Sequence, residues 1–340
     1  MLLQRSCYRM PKAGSIAHLT LVEEPLPHPS DQEVCVEVKA IGLNFADIFA
    51  MYGLYSATPE GSFVPGLEYA GVVHTVGKNV TTVKPGDRVM GVTRFGGYAS
   101  HINTDYRYLI PVPEDWSFDE GAAYLVQVLT AYYGLKNLGA LKAGQTVLIH
   151  SAAGGVGILA NRIAKKMGAY TIGTVGSEYK LELLEMEGYD KGIVRTKSFK
   201  EDLIQALDGK ELHLIMECIG GEILSQGFDV LAPMGRMVVY GSAQYGSPGD
   251  RPNYLRLLYL YLRRPKLDIQ NLTNLNKSLM AFNLIHLYER VEIMHEILAE
   301  IENLSLSAPL VGHTFPYKDL RDAIKLFQKG KTIGKVVVKI

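Results

Sequence analysis

The chain has 340 residues, 47% of them hydrophobic and 21% charged, a length beyond what one hydrophobic core usually supports, so two domains are expected. Lys and Arg total 35, as do Asp and Glu, and a chain without net charge lacks the basic excess that nucleic acid or an anionic membrane would require. Cys7, Cys35 and Cys218 lie far apart and form no CxxC pair, which predicts reduced thiols and a cytoplasmic protein.

Residues 1–11 carry Arg5 and Arg9 without an apolar core, so no signal peptide is expected there. From about Val34 to Pro113, short apolar runs alternate with Gly and Pro: Val34–Val38, Gly71–Val76, Arg88–Gly91 and Tyr98–Ile102. That texture predicts a β-rich unit. Beyond Asp119 it changes. Tyr124–Asn137 reads as a helix, Thr146–His150 as a buried strand, Gly155–Met167 as a helix, Tyr170–Val175 as a strand and Glu178–Glu187 as a helix. Strands follow at Glu211–Glu217 and Arg236–Tyr240. This alternation implies a doubly wound α/β unit with a parallel sheet. Leu255–Leu262, broken by Arg256, is too short to span a membrane and is expected to pack its Leu and Tyr faces against protein, with a surface anchor as the alternative. Leu320–Gln328 and Gly334–Ile340 read as a final helix and strand.

The sharpest local signal is Thr146–His150 running through Ser151, Ala152, Ala153, Gly154, Gly155, Val156 and Gly157 into a helix. Small residues between a strand and a helix let the backbone approach a pyrophosphate, whose charge then meets the positive end of the helix dipole. Ala152 stands where a strict GxGxxG has its first glycine, yet a second strand roughly 20 residues on supports a dinucleotide site. The tip of that strand, Gly176 and Ser177 followed by Lys180, lacks the Asp that would hold the ribose hydroxyls of NAD. With Arg195 after the next strand, these groups suit the 2′-phosphate of NADPH; Glu178 is the counter-indication. Tyr240, Gly241 and Ser242 end a strand, where such sheets bind ligand.

Taken together, Gly42–Asp47, Gly53–Tyr55, Val64–Val73, Pro85–Val89, Gly96–Ala99, Leu129–Tyr133, the Ala-Ala-Gly-Gly-Val-Gly turn and Gly334–Val338 resemble the medium-chain dehydrogenase/reductase superfamily, and within it the zinc-free quinone oxidoreductases. Leu231–Arg236 and Met280–Leu284 are similar to the vesicle amine transport protein branch. The resemblance implies a Rossmann domain over 124–286 and a GroES-like catalytic domain made of 1–123 and 287–340. It also implies a homodimer joined by antiparallel pairing of the last Rossmann strand, around Leu279–Ile285. Zinc-dependent relatives have Cys and His where Asn44 and Leu67 stand. His74, His101 and His150 show no ligand spacing and read as surface or locally bonded residues, so no metal is expected.

The resemblance brings Tyr55 and Asn44 close to the nicotinamide. Without a metal, donors in a dry cleft must stabilise the charge that develops on a carbonyl oxygen. Tyr55 matches the proton donor of enoyl thioester reductases and a cofactor-contacting tyrosine of quinone reductases, so donation and positioning both stay open; Asn44 is expected to orient. Thr130, Phe282, Asn283, Leu284 and Lys335 are implied as further cofactor contacts. The expected activity is NADPH-dependent reduction of quinones or related conjugated carbonyl compounds. The alternatives are reduction of an enone or enoyl-thioester double bond, and a recruited, non-catalytic role that retains NADPH binding.

Overall fold

The computed structural model describes residues 2–266 and 268–340. The Rossmann unit is a six-stranded sheet: β1 (Thr146–Ile149), β2 (Tyr170–Val175), β3 (Lys191–Val194), β4 (Leu214–Glu217), β5 (Arg236–Val239) and β6 (Ser278–Ala281). Its order is β3-β2-β1-β4-β5-β6, and every pairing is parallel. Strand order reverses between β1 and β4, and doubly wound sheets open their ligand crevice at that point. β1 and β4 are buried along their whole length, as their continuous apolar runs require of a sheet covered on both faces. Helix α1 (Gly155–Lys166) turns Ile158, Leu159, Ile163 and Ala164 inward and ends on Lys165 and Lys166, which suit the negative end of its dipole.

The other sheet is built from both ends of the chain. Strand Lys335–Lys339 pairs antiparallel with Glu33–Gly42, placing Val337 opposite Gly42, and parallel with Val311–Pro316. Strands Glu68–Val76, Arg88–Val92 and Leu109–Pro111 continue that sheet, and His101–Asp105 pairs with Glu33–Gly42 off its main path. Helix Leu320–Gln328 buries Leu320, Ala323 and Ile324 against the same core as Val336 and Val338. This is the GroES-like unit.

Several elements depart from the sequence reading. The helix expected over Tyr124–Asn137 is α-helical only over Leu125–Tyr132 and then widens into a π-helical turn, Tyr133–Leu138. The strand expected from Glu211 begins at Leu214, after Leu212 has been drawn into the core. A hairpin of Leu3–Arg9 with Thr20–Leu26 and a helix over Val291–Glu302 were not anticipated. Arg5 and Arg9 lie on that hairpin, and both pair with Glu24. Helix Tyr254–Leu262, capped by Asn253, does not pack its apolar faces as expected. No residue of it is buried, and Leu255 is 82% exposed and Leu262 65% exposed. Among the described residues no helix is long and apolar enough to cross a membrane.

Candidate functional site

The small-residue turn forms as its sequence requires. Ser151 takes a left-handed φ of 52°, Gly154 caps α1 in an extended conformation, and the free N–H groups of the first helical turn face the end of β1. Gly157 is dictated by packing: a Cβ there would lie 2.6 Å from both the Ala152 Cα and the Ser151 carbonyl oxygen. A Cβ at Gly154 would stand 3.2 Å from the Ser151 carbonyl oxygen and one at Gly155 3.0 Å from the Gln127 side chain, so a side chain at either position would crowd its neighbours. Ala153 is buried and accepts the Gly334 N–H at 2.8 Å. That contact ties the turn to the start of the final strand.

At the tip of β2, the Arg195 guanidinium folds inward. Its Nη1 donates to the Thr174 carbonyl at 3.1 Å and to the Thr174 hydroxyl at 2.9 Å. Its Nη2 lies 3.3 Å from where a Gly176 side chain would begin. Arg195 is therefore a crevice residue, and burial lowers its pKa from the ordinary value. Lys180 is also buried, and its ammonium donates to the carbonyls of Gly330 at 2.9 Å and Thr332 at 2.8 Å. Burial, and then the nearby Arg195 charge, lower its pKa. Two of its three N–H donors are thus engaged. Ser177 is half-buried beside it, and Glu178 is exposed at the start of a short turn of helix, away from these cations' bonds.

Across the crevice, Tyr240 follows β5, its N–H bonded to the Glu217 carbonyl at 3.0 Å, and burial raises its phenol pKa well above the usual value. Gly241 lies against Cys218, whose Cβ is 3.2 Å from the position of a Gly241 Cβ, and Ser242 precedes a tight turn. The Phe282 ring packs edge-on to Tyr133 at 5.0 Å. Asn283 caps the following turn, Leu284–Leu287, and accepts the Tyr55 hydroxyl at 2.7 Å. Tyr55, from the loop after helix Phe45–Tyr52, thus meets the Rossmann unit across the cleft. Burial pushes its phenol up to about 12, so it keeps its proton at neutral pH.

Two residues are placed differently from the expectation. The Asn44 amide donates to Glu68 at 3.0 Å and to the Gly42 carbonyl at 3.3 Å, and its oxygen accepts from Lys335 at 2.9 Å. The amide is therefore occupied within the protein and orients through its neighbours. The Lys335 ammonium does not line the crevice. It is ion-paired with Glu68 in the interior, and burial lowers its pKa against the opposing pull of that carboxylate. Thr130 is buried, its hydroxyl bonded to the Val126 carbonyl one turn back at 2.6 Å.

The sequence reading missed the polar cluster behind these residues. Glu68 also accepts from Gln127 at 2.5 Å and from the Val126 N–H at 3.1 Å. Asp47 accepts from the Asn44 N–H at 2.8 Å and from the Tyr98 hydroxyl at 3.0 Å. Burial raises the Asp47 carboxyl to about 7. A charged residue inside the apolar stretch Gly66–Val73 was the available signal. His150, read as a surface or locally bonded residue, is wholly buried beside Thr174 and Glu217. Among the described residues no group of three or more His, Cys, Asp or Glu side chains is arranged to hold a metal.

Residues 30–114 match the family model described as the alcohol dehydrogenase GroES-like domain, and residues 155–297 match the one described as zinc-binding dehydrogenase. The human synaptic vesicle membrane protein VAT-1 homolog is 32% identical over 92% of this chain and 80% of its own length. Among solved structures, the quinone oxidoreductase from Thermus thermophilus, described with its NADPH complex, superposes with a TM-score of 0.81 at 26% identity, covering 98% of this chain and 100% of that one. The CurK enoyl reductase superposes with a TM-score of 0.80 at 29% identity, covering 98% of this chain and 99% of that one.

Proposed function

Because the chain belongs to the medium-chain dehydrogenase/reductase superfamily, among its quinone-oxidoreductase-like members near the VAT-1 branch, we propose that it uses NADPH to reduce quinones or related conjugated carbonyl compounds. The observation that carries this reading is the Tyr55 hydroxyl, protonated and held 2.7 Å from Asn283 at the mouth of the dinucleotide crevice.

The start of α1, whose cap residue Gly154 has no side chain to bond the first-turn N–H groups, fits a pyrophosphate, which the N–H groups of Gly155, Val156 and Gly157 would hold. Arg195 and Lys180, with Ser177 and the backbone of Gly176, would hold the 2′-phosphate. Tyr240, Gly241, Ser242 and Thr130, with Phe282, Asn283 and Leu284, would line the rest of the dinucleotide's path. When bound, the reduced nicotinamide supplies the hydride. Tyr55 then turns its O–H from Asn283 to the substrate oxygen, where negative charge develops. Asn44, fixed by Glu68 and Lys335, holds the start of helix Phe45–Tyr52 and through it the Tyr55 loop. The exposed edge strand β6 supports antiparallel pairing with a second copy of the chain.

The enoyl reductase likeness favours a second reading, reduction of an activated double bond in an enone or thioester. Following NADPH oxidation with a quinone, an enone and an enoyl thioester in parallel separates the two. The quinone is expected to be the fastest acceptor. Turnover with none of the three, despite tight NADPH binding, would instead support a non-catalytic role.

A further inference from the structure

Below the crevice, one row of the Rossmann sheet departs from its apolar surroundings. The β1–β2 and β1–β4 registers set Ile149 beside Gly173 and Met216, so the next row joins Thr174, His150 and Glu217 on three adjacent strands. Ile193 of β3 and Val239 of β5 flank it. All three polar residues are 0% exposed.

Their polar atoms form a chain. The Glu217 carboxylate accepts the N–H groups of Ile219 and Gly220, the latter at 2.7 Å, which anchors it to the loop after β4. Its other oxygen lies 3.2 Å from the Nε2 of His150. The Nδ1 of His150 lies 2.7 Å from the Thr174 hydroxyl, and that hydroxyl accepts from Arg195 at 2.9 Å. A hydroxyl has one hydrogen and two acceptor sites. With Arg195 donating to it, the Thr174 hydroxyl has its own hydrogen left for the Nδ1 of His150, while the Nε2 of His150 and the nearby Glu217 oxygen face each other as a close pair without hydrogen-bond geometry. Phe199 packs on the imidazole, with ring centroids 5.6 Å apart, and limits its rotation. Arg195 is the end of the chain that reaches the crevice.

We propose that Thr174, His150 and Glu217 are positioning residues that hold the Arg195 guanidinium at the tip of β2, and that they thereby set the preference for a dinucleotide carrying a 2′-phosphate. This rests on the reading that Arg195 meets that phosphate. A long, flexible side chain selects a phosphate only when its donors are oriented beforehand, since otherwise the ordering cost offsets the charge-assisted bond. Thr174 supplies both bonds that orient it.

The test is calorimetric titration of the full-length protein with NADPH, NADH and 2′,5′-ADP. Thr174→Val is expected to lower the NADPH-over-NADH preference by about threefold to tenfold, the range for one lost hydrogen bond, with NADH affinity within about twofold of the parent. Thr174→Ser, which keeps the hydroxyl, should restore the preference, and Thr174→Val should add nothing to Arg195→Ala. His150→Gln provides a second variant if Thr174→Val folds poorly, and should shift the preference the same way. Equal losses for NADPH and NADH would show that the row only joins strand ends and would overturn the proposal. So would an unchanged preference in Thr174→Val and His150→Gln when Arg195→Ala abolishes it. An unchanged preference in Arg195→Ala itself would locate the failure one step earlier, in the assignment of Arg195 to the phosphate, and the proposal would fall with it.

Discussion

At the scale of single residues, Tyr55 and Asp47 have contrasting electrostatics. Burial raises the pKa of both, but Tyr55 stays a proton carrier at every ordinary pH, whereas Asp47 is moved to about 7. Tyr55→Phe removes the donor and keeps the ring. Turnover should fall by roughly 10²- to 10⁴-fold, the usual worth of a positioned acid, while the NADPH dissociation constant stays within a few-fold. A loss confined to cofactor affinity, seen in steady-state kinetics beside titration, would make Tyr55 a positioning residue. For Asp47 the sign follows from linkage. The folded state holds the proton more tightly than the unfolded chain, whose carboxyl titrates near 3.9. Its contribution is therefore most favourable below about pH 4 and declines as pH rises towards 7. Denaturant unfolding at several pH values should show that decline in the parent and lose it in Asp47→Asn. Identical slopes would mean that the carboxyl titrates normally.

At the scale of elements, the turn into α1 was legible because its constraints are local: an apolar strand, small residues and an amphipathic helix in immediate succession. Gly157→Ala tests it. The added methyl would press on Ala152 and the Ser151 carbonyl, and such overpacking costs about 1–3 kcal/mol. A lower melting temperature together with weaker NADPH binding is expected, and an unchanged melting curve would show that the helix can shift to accommodate it. What could not be read were contacts between distant segments. Lys335 sits in a glycine-lysine pattern that the resemblance links to cofactor, yet its ammonium is drawn to Glu68, far away in sequence. Likewise, nothing local marks Thr174, His150 and Glu217 as neighbours until the β2-β1-β4 order is known. The Tyr254–Leu262 helix misled in the opposite way. Its Leu and Tyr content suggested a buried face, but periodicity reports which residues share a side and not whether anything covers that side.

At the scale of the whole molecule, the exposed edge of β6 and the Tyr254–Leu262 helix leave apolar surface uncovered on the Rossmann unit. Pairing of β6 with a second copy predicts a dimer in sedimentation experiments. Leu279→Pro should convert it to a monomer, because the Ser278 and Phe282 N–H groups point to β5, so that of Leu279 points to the free edge, where proline removes a backbone donor from the ladder. A monomeric parent protein would reject the pairing. Crevice, cleft and polar cluster all lie where the two sheets meet, so the bonds of Tyr55 to Asn283 and of Gly334 to Ala153 join the units on either side of the site.

The pairing of Val337 with Gly42 has a consequence for how the protein is made. While the chain is still emerging from a ribosome, the Ala40–Gly42 end of strand Glu33–Gly42, which its neighbour His101–Asp105 does not reach, waits with one edge unsatisfied until residues 335–339 appear. The Rossmann unit, whose six strands lie within residues 146–281, is free to fold during that interval. Synthesis should therefore pass through a state in which the nucleotide-binding half is formed and the other half is still open, and that interval is when chaperones would be needed most.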